Sequence, residues 1–422
     1  MALFLKYNFT LAITIFIALI LSNQVPVYPV DNHTNHGTHV SVRNQKNVSI
    51  EDDGASGDNS SKYAEQIIAN CQDGNEHCPM MALDELNKTA SHQTVLETFS
   101  DLNLLYEKSD YSCHHEGHHL GWWLYDYTKD LKEALNYATL FCAGANFHGI
   151  FQSYFEREHQ VHNVDQNQIK IAHLCPIGQE NVNWMQERDC IHGIGHGLAK
   201  LYNYNTTAAV GRCNEFMLLW AQSACSRGIF MENNDHFSET GKGDFDNKDI
   251  YFPCDRTAEE FAPQCYYYYP EHSLEVNNDS LTDSYGRCDT ISPDKFVKYC
   301  YEGFGRLLQQ FGYRNPEQAI EYCYQGNQSA YHNDCLIGTL KSMLKGDTNT
   351  GADAAFKFCS LSNLDFKSEC YQILGMWIKA ILYSDPQEQE RECAKASAIN
   401  YITDCINASE ETNVQVSVFE PV

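Results

Sequence analysis

The 422-residue sequence predicts an all-α fold, an α-α solenoid of about ten helical hairpins with a period of about 35 residues, stapled by disulfides. Three observations predict it. Cys78, Cys113, Cys190, Cys225, Cys265, Cys300, Cys335, Cys370 and Cys405 form a column with successive spacings of 35, 77, 35, 40, 35, 35, 35 and 35. An apolar helix-like segment follows each column residue, as in CYEGFGRLLQQFG and CLIGTLKSMLKG. The total of 18 cysteines is even and lies entirely downstream of an export segment. A fixed period of this length is the signature of stacked helical repeats.

Residues 1–22 are mostly apolar, with an uncharged core from Phe9 to Leu21, and suit a signal peptide or a short membrane anchor. Either route exports the chain, so the protein is expected to be secreted or held at the cell surface by that segment alone. Residues 23–61 are polar, with runs such as DNHTNHGTH and EDDGASGDNSS, and cannot bury a core. They read as a disordered stalk in which His33, His36 and His39 are either solvated or a small metal chelate. The repeat domain spans residues 62–409 and a short tail, 410–422, follows it.

Within the column the gap of 77 hides one unit. FHGIF after Asn146 aligns with IHGIG after Cys190, so Asn146 takes the column place and splits the gap into 33 and 44. Insertions near His159 to Ile171 and Asn233 to Phe252 explain the two long units. The second helix of each unit is short, as in PEQAIEYC, with Pro316 at a first helical position. Gly149, Gly193, Gly228, Gly303 and Gly338 recur three residues after the column, where a glycine costs about 1 kcal/mol relative to alanine and so implies close helix packing.

Pairing neighbouring cysteines uses all of them: Cys71 with Cys78, Cys113 with Cys142, Cys175 with Cys190, Cys213 with Cys225, Cys254 with Cys265, Cys288 with Cys300, Cys323 with Cys335, Cys359 with Cys370 and Cys393 with Cys405. The rival scheme, which joins both helices of one unit, strands Cys71, Cys78, Cys175 and Cys405. Each staple should contribute on the order of 3 kcal/mol by closing a short loop in the unfolded chain. Such cysteine usage belongs to an oxidising compartment. Sequons at Asn32, Asn47, Asn59, Asn87, Asn205, Asn278, Asn327 and Asn407 make the chain a candidate glycoprotein. The formal charge of -27 excludes a nucleic-acid partner, which needs a basic surface, and disfavours anionic membranes.

The period and the hairpin pattern from about Cys71 to Cys405 resemble the tetratricopeptide and Sel1-like repeat class, including its cysteine-stapled secreted members. The resemblance implies a concave groove that binds a protein or peptide.

Two positions, two and six residues after the column, share one helical face. They are His115 and His119, His148 and Gln152, His192 and His196, Arg227 and Met231, Tyr267 and Glu271, Glu302 and Arg306, Ile337 and Lys341, then Gln372 and Met376. Histidine occupies only the first three units. Histidines four apart on a helix offer two imidazoles to one ion, so His115, His119, His148, His192 and His196 are candidate metal ligands, with Glu116, Glu156 and Glu232 as nearby carboxylates. The alternative is an ordinary helix face stacked on Trp122, Trp123 or tyrosines. Helices packed about 8–10 Å apart put the two outer pairs too far apart for one ion, leaving either two metals or one ion at His148 with one flanking pair. Mixed ligands of this kind suit zinc, iron, manganese or copper.

The stretch His115-Glu116-Gly117-His118-His119 resembles the zincin H-E-x-x-H motif, in which the glutamate is a general base. It also resembles the His-Glu motifs of di-iron helical-repeat hydroxylases, although the dipeptide occurs here once. Haem of the c type is not expected, because C-x-x-C-H is missing. The run Tyr266 to Tyr269 is either core packing or an aromatic shelf, and Glu302 with Arg306 reads as an i, i+4 ion pair. These features support an extracytoplasmic binding scaffold with a histidine-rich metal site in its N-terminal half. The alternative function is a metal-dependent oxygenase or hydrolase that uses the same histidines, with Glu116 as its base.

Overall fold

Short polar side chains start most of the minor helices. Asp130, Asn205, Ser280, Asn315 and Asp385 each accept a hydrogen bond from a backbone N–H in the first turn that follows, satisfying donors that a helix start otherwise leaves open. Pro316 and Pro386 then occupy first helical positions, where the missing N–H costs nothing. The computed structural model describes residues 59–71, 77–109, 114–160, 164–177, 184–246, 248–277, 279–308, 315–346, 352–379 and 385–410. The export segment, most of the stalk with His33, His36 and His39, and the sequons at Asn32, Asn47 and Asn278 lie outside them, as do Cys113 and the tail after Glu410.

Among the described residues there are eighteen α-helices and no β-strand. They are α1 Ser60–Asn70, α2 Cys78–Leu86, α3 His92–Ser109, α4 His114–Thr128, α5 Leu131–Tyr137, α6 Phe141–Gln160, α7 Trp184–Leu201, α8 Thr206–Arg212 and α9 Leu219–Thr240. There follow α10 Ala262–Glu275, α11 Leu281–Cys288, α12 Val297–Leu307, α13 Pro316–Cys323, α14 His332–Gly346, α15 Asp353–Leu361, α16 Leu364–Trp377, α17 Pro386–Cys393 and α18 Ile399–Glu410. Long helices pack on their successors, α4 on α6, α6 on α7, α7 on α9, then α10, α12 and α14 in turn, and α14 also touches α6. None is long and apolar enough to cross a membrane among the described residues.

Eight disulfides link the neighbours selected by elimination, from Cys71–Cys78 through Cys175–Cys190, Cys213–Cys225, Cys254–Cys265, Cys288–Cys300, Cys323–Cys335 and Cys359–Cys370 to Cys393–Cys405. Cys142 is also disulfide-bonded, and its expected partner Cys113 lies outside the described residues. This density of bonds suits an oxidising, extracytoplasmic environment. The sequon residues Asn87, Asn205, Asn327 and Asn407 are exposed, and Asn59 is half-buried.

Three expectations need correction. Helix starts at Ser60, two residues inside the expected stalk, because Ser60 is buried and donates to Asp101. The segment expected as an insertion from Asn233 begins instead as helix, since α9 runs on to Thr240 before Gly241 ends it in a left-handed cap. Glu302 and Arg306 do not pair along their own helix. Arg306 donates to Glu271 on α10 at 2.7 Å and Glu302 accepts from Lys341 on α14 at 3.0 Å, because the same helical face that carries both side chains meets a neighbour on each side. Tyr266 to Tyr269 have exposures of 2, 3, 5 and 1 %, which makes the run core packing rather than an open shelf.

Candidate metal centre

Close backbone contacts set the register of the helices that carry the histidines. A Cβ on Gly195, Gly305 or Gly375, each five residues after its column cysteine, would lie 1.9–2.1 Å from the carbonyl of the next column residue. Gly121 stands in the same relation to Asn146, at 2.2 Å. By this measure the residue of α4 at the column place is Glu116, not Cys113. A second set agrees: Cβ atoms on Gly228, Gly303 and Gly338 would strike the carbonyls of His192, Tyr267 and Glu302, and one on Gly149 would strike that of His118. His118, not His115, is therefore the counterpart of His192. A three-residue offset of α4 turns its first-turn face by most of a turn, at about 100° per residue.

The result is a buried constellation on four helices. His114 and His118 come from α4, His148 from α6, His192 and His196 from α7 and Glu232 from α9. Three overlapping groups, His114 with His118 and His148, His148 with His192 and His196, and His118 with His196 and Glu232, each bring one ligand atom per residue within 4.8 Å of the others. His148, His192 and His196 are 1, 3 and 0 % exposed, so few hydrogen bonds to solvent are available.

Hydrogen bonds at the outer ring nitrogens fix where the lone pairs point. The Nδ1–H of His192 donates to the carbonyl of Ala224 at 3.1 Å, and that of His196 to Glu232 Oε2 at 2.8 Å. In the neutral tautomer this leaves the lone pair on Nε2, and these two Nε2 atoms face each other at 3.4 Å. His148 Nε2 is buried with no hydrogen-bond partner. A proton between His192 and His196 would relieve their contact at a length that is long for a hydrogen bond, and would leave His148 unpaired. One cation among the three would use all of these lone pairs once the His148 ring turns out of its stack on His196, which lies 3.9 Å away and 12° from parallel. Nitrogens about 2.0–2.1 Å from a tetrahedral ion lie about 3.3–3.4 Å apart, and an outer hydrogen bond to a carbonyl or carboxylate is how metal-bound histidines are oriented.

Glu232 is held as well as holding. It accepts from Gln152 Nε2 at 2.7 Å and from the Tyr204 hydroxyl at 3.4 Å, and the Gln152 amide oxygen in turn accepts from Trp122 Nε1 at 2.6 Å. Burial, and then the Glu232 charge, push the Tyr204 phenol above its usual range, so it remains a donor. Burial is also the largest cause holding His118, His148 and His192 well below the ordinary histidine range, followed by His114, His196 and Arg188 respectively. His114 is pushed down to about 4, again chiefly by burial. Neutral imidazoles are the ligating form.

Of the residues expected from sequence, the structure brings together His148, His192, His196 and Glu232. His115 and His119 sit outside the constellation and face each other, Nε2 to Nε2, at 3.2 Å. His115 approaches Glu239 at 3.9 Å and the His119 ring stands edge-on to Trp122. Glu156 pairs with Lys200. Glu116 lies near Tyr106, whose phenol it helps push up. Their places in the centre are taken by His114 and His118, which counting from Cys113 passes over and counting from Gly121 finds. A further contribution invisible in sequence is the left-handed turn at Cys142, Ala143 and Gly144, with φ of 54, 55 and 75°, which opens α6. It presents the Cys142 carbonyl to His114 Nδ1 at 2.7 Å. Comparison with family models, with curated proteins and with solved structures gave no match.

Proposed function

We propose that this chain is an extracytoplasmic helical-repeat scaffold that binds a transition-metal ion at His148, His192 and His196. The observation that carries the reading is the meeting of His192 Nε2 and His196 Nε2 at 3.4 Å, in a buried triad with His148, whose own Nε2 has no hydrogen-bond partner. Three neutral imidazoles suit zinc or copper, with iron and manganese as weaker fits. Bound there, such an ion would act as a Lewis acid with a fourth position open to water or to a donor atom of a captured ligand. The succession of long helices on their neighbours supports a stacked array of about ten hairpins, whose inner surface would be the place for a protein or peptide partner.

Binding is favoured over catalysis by the position of Glu116. It lies two residues from both His114 and His118 on α4, about 200° round the helix from each, and so faces away from the centre it would serve as general base. Glu232 is committed to orienting His196.

The test is elemental analysis of protein purified after export and without chelators. At least one transition-metal ion per chain is expected, and the His192→Ala, His196→Ala double variant should hold at least one fewer while the far-ultraviolet dichroism persists. Full metal content in that variant, or a wild-type chain that neither carries a metal nor takes up zinc at micromolar concentration, would overturn the proposal.

A further inference from the structure

His148 has more to do than complete one triad. Its ring lies 5.0 and 4.7 Å from those of His114 and His118 and 5.0 and 3.9 Å from those of His192 and His196, measured between centroids. The two flanking pairs mirror each other. His114 Nδ1 is fixed by the Cys142 carbonyl as His192 Nδ1 is fixed by that of Ala224, and His114 Nε2 faces His118 Nε2 at 3.3 Å as His192 Nε2 faces His196 Nε2 at 3.4 Å. His148 Nδ1 lies 2.9 Å from His118 Nε2, and its other nitrogen is buried without a partner. Five imidazoles are more than one tetrahedral ion can take, and only His148 belongs to both all-histidine triads.

From this geometry we infer a two-metal centre bridged by His148. One ion is held by His148 Nε2 with His192 and His196, the second by His148 Nδ1 with His114 and His118. This deepens the metal-binding reading above and rests on it. To ligate through both nitrogens His148 gives up its remaining ring proton, which passes to solvent as the second ion binds, and the imidazolate so formed carries the negative charge that two adjacent cations require. The bridge places the ions one imidazole ring apart, and a ring bound on both sides couples unpaired electrons on the two metals.

Copper(II) reads this directly. The full chain, stripped with chelator and titrated in excess glycine to hold loosely bound copper, should take up two copper ions whose electron paramagnetic resonance intensity falls well short of two spins. His114→Ala and His118→Ala should each bind one copper with a full single-spin signal and an unchanged dichroism spectrum. Two coppers that integrate to two independent spins would overturn the bridge. A single copper per wild-type chain, unaffected by His118→Ala, would overturn the second site and leave the tri-histidine ion standing. No copper at all would remove the metal-binding reading itself.

Discussion

Positions two and six residues after the column are filled with histidine and its supports in the N-terminal half, and with charge pairs in the C-terminal half. In register with Glu116, the first half places His118, His148 and His192 at the earlier position, and Trp122, Gln152 and His196 at the later one. The second half has Arg227 over the Tyr267 ring at 3.8 Å, Arg306 on Glu271 at 2.7 Å and Lys341 on Glu302 at 3.0 Å. In both halves like faces of adjacent helices meet and leave polar groups to be satisfied away from water. The difference is the source of the cation. The second half carries its own, as guanidinium and ammonium groups. The first half converges imidazoles and the Glu232 carboxylate on one volume, and in the proposed reading an ion completes it. The contrast separates a structural solution from a candidate binding site within one all-α chain.

The sharpest way to break the comparison is to remove a built-in cation. Arg306→Met leaves Glu271, among the described residues, with the Asn234 amide at 3.0 Å, and sets it against Asp235, whose carboxyl burial and then Glu271 hold well above the usual range while Arg306 opposes that rise. Stranding a buried partner costs roughly 3–5 kcal/mol, and the surviving amide bond argues for about 3 kcal/mol. Urea unfolding should show this loss equally in metal-loaded and metal-stripped protein. A loss that zinc restores would mean the two halves are not separate solutions.

A smaller effect concerns a buried histidine of the second half that lies outside the candidate metal centre. His272 on α10 packs against Phe245 and Tyr269, and burial pushes its pKa down to about 4. Because the unfolded chain binds this proton near pH 6.5 and the folded chain only near 4, stability is full above 6.5 and falls as the pH drops between those values. The span corresponds to on the order of 3 kcal/mol at most. His272→Phe should flatten that part of the stability profile in metal-stripped and metal-loaded protein alike. An unchanged acid slope in the variant would assign the slope to the other buried histidines.

The helices and their staples were legible because cysteine spacing is a property of one chain read in order. The contacts between units were less so. Glu302 and Arg306 read as partners because helical spacing shows what shares a face, but not which neighbouring helix covers it. The candidate ligands divided along the same line. His148, His192 and His196 follow from the column because Asn146 and Cys190 keep the common register, whereas His114 and His118 were displaced by trusting Cys113 over Gly121. A disulfide tolerates a shift of its cysteine along the chain more readily than a backbone contact tolerates a Cβ, so glycine is the better ruler where helices touch. The left-handed turn at Cys142 and Ala143 had no signal at all, since neither residue type favours a positive φ.

That ruler makes the smallest prediction, and one that sharpens the contrast between contact and open glycines. Gly286 lies inside α11, away from the long-helix faces, and a Cβ built on it meets nothing within 4 Å. Its only effect on the folded state is then the loss of helix propensity and the extra freedom it gives the unfolded chain, so Gly286→Ala should raise stability by about 0.5–1 kcal/mol. The same change at Gly228 would put a methyl group 2.0 Å from the His192 carbonyl and force α7 and α9 apart at the metal centre. Thermal unfolding and metal content measured on both variants separate the two uses of glycine. Gly286→Ala should melt slightly higher with its metal intact, and a loss of metal there would mean that the minor helices help set the geometry of the histidine face.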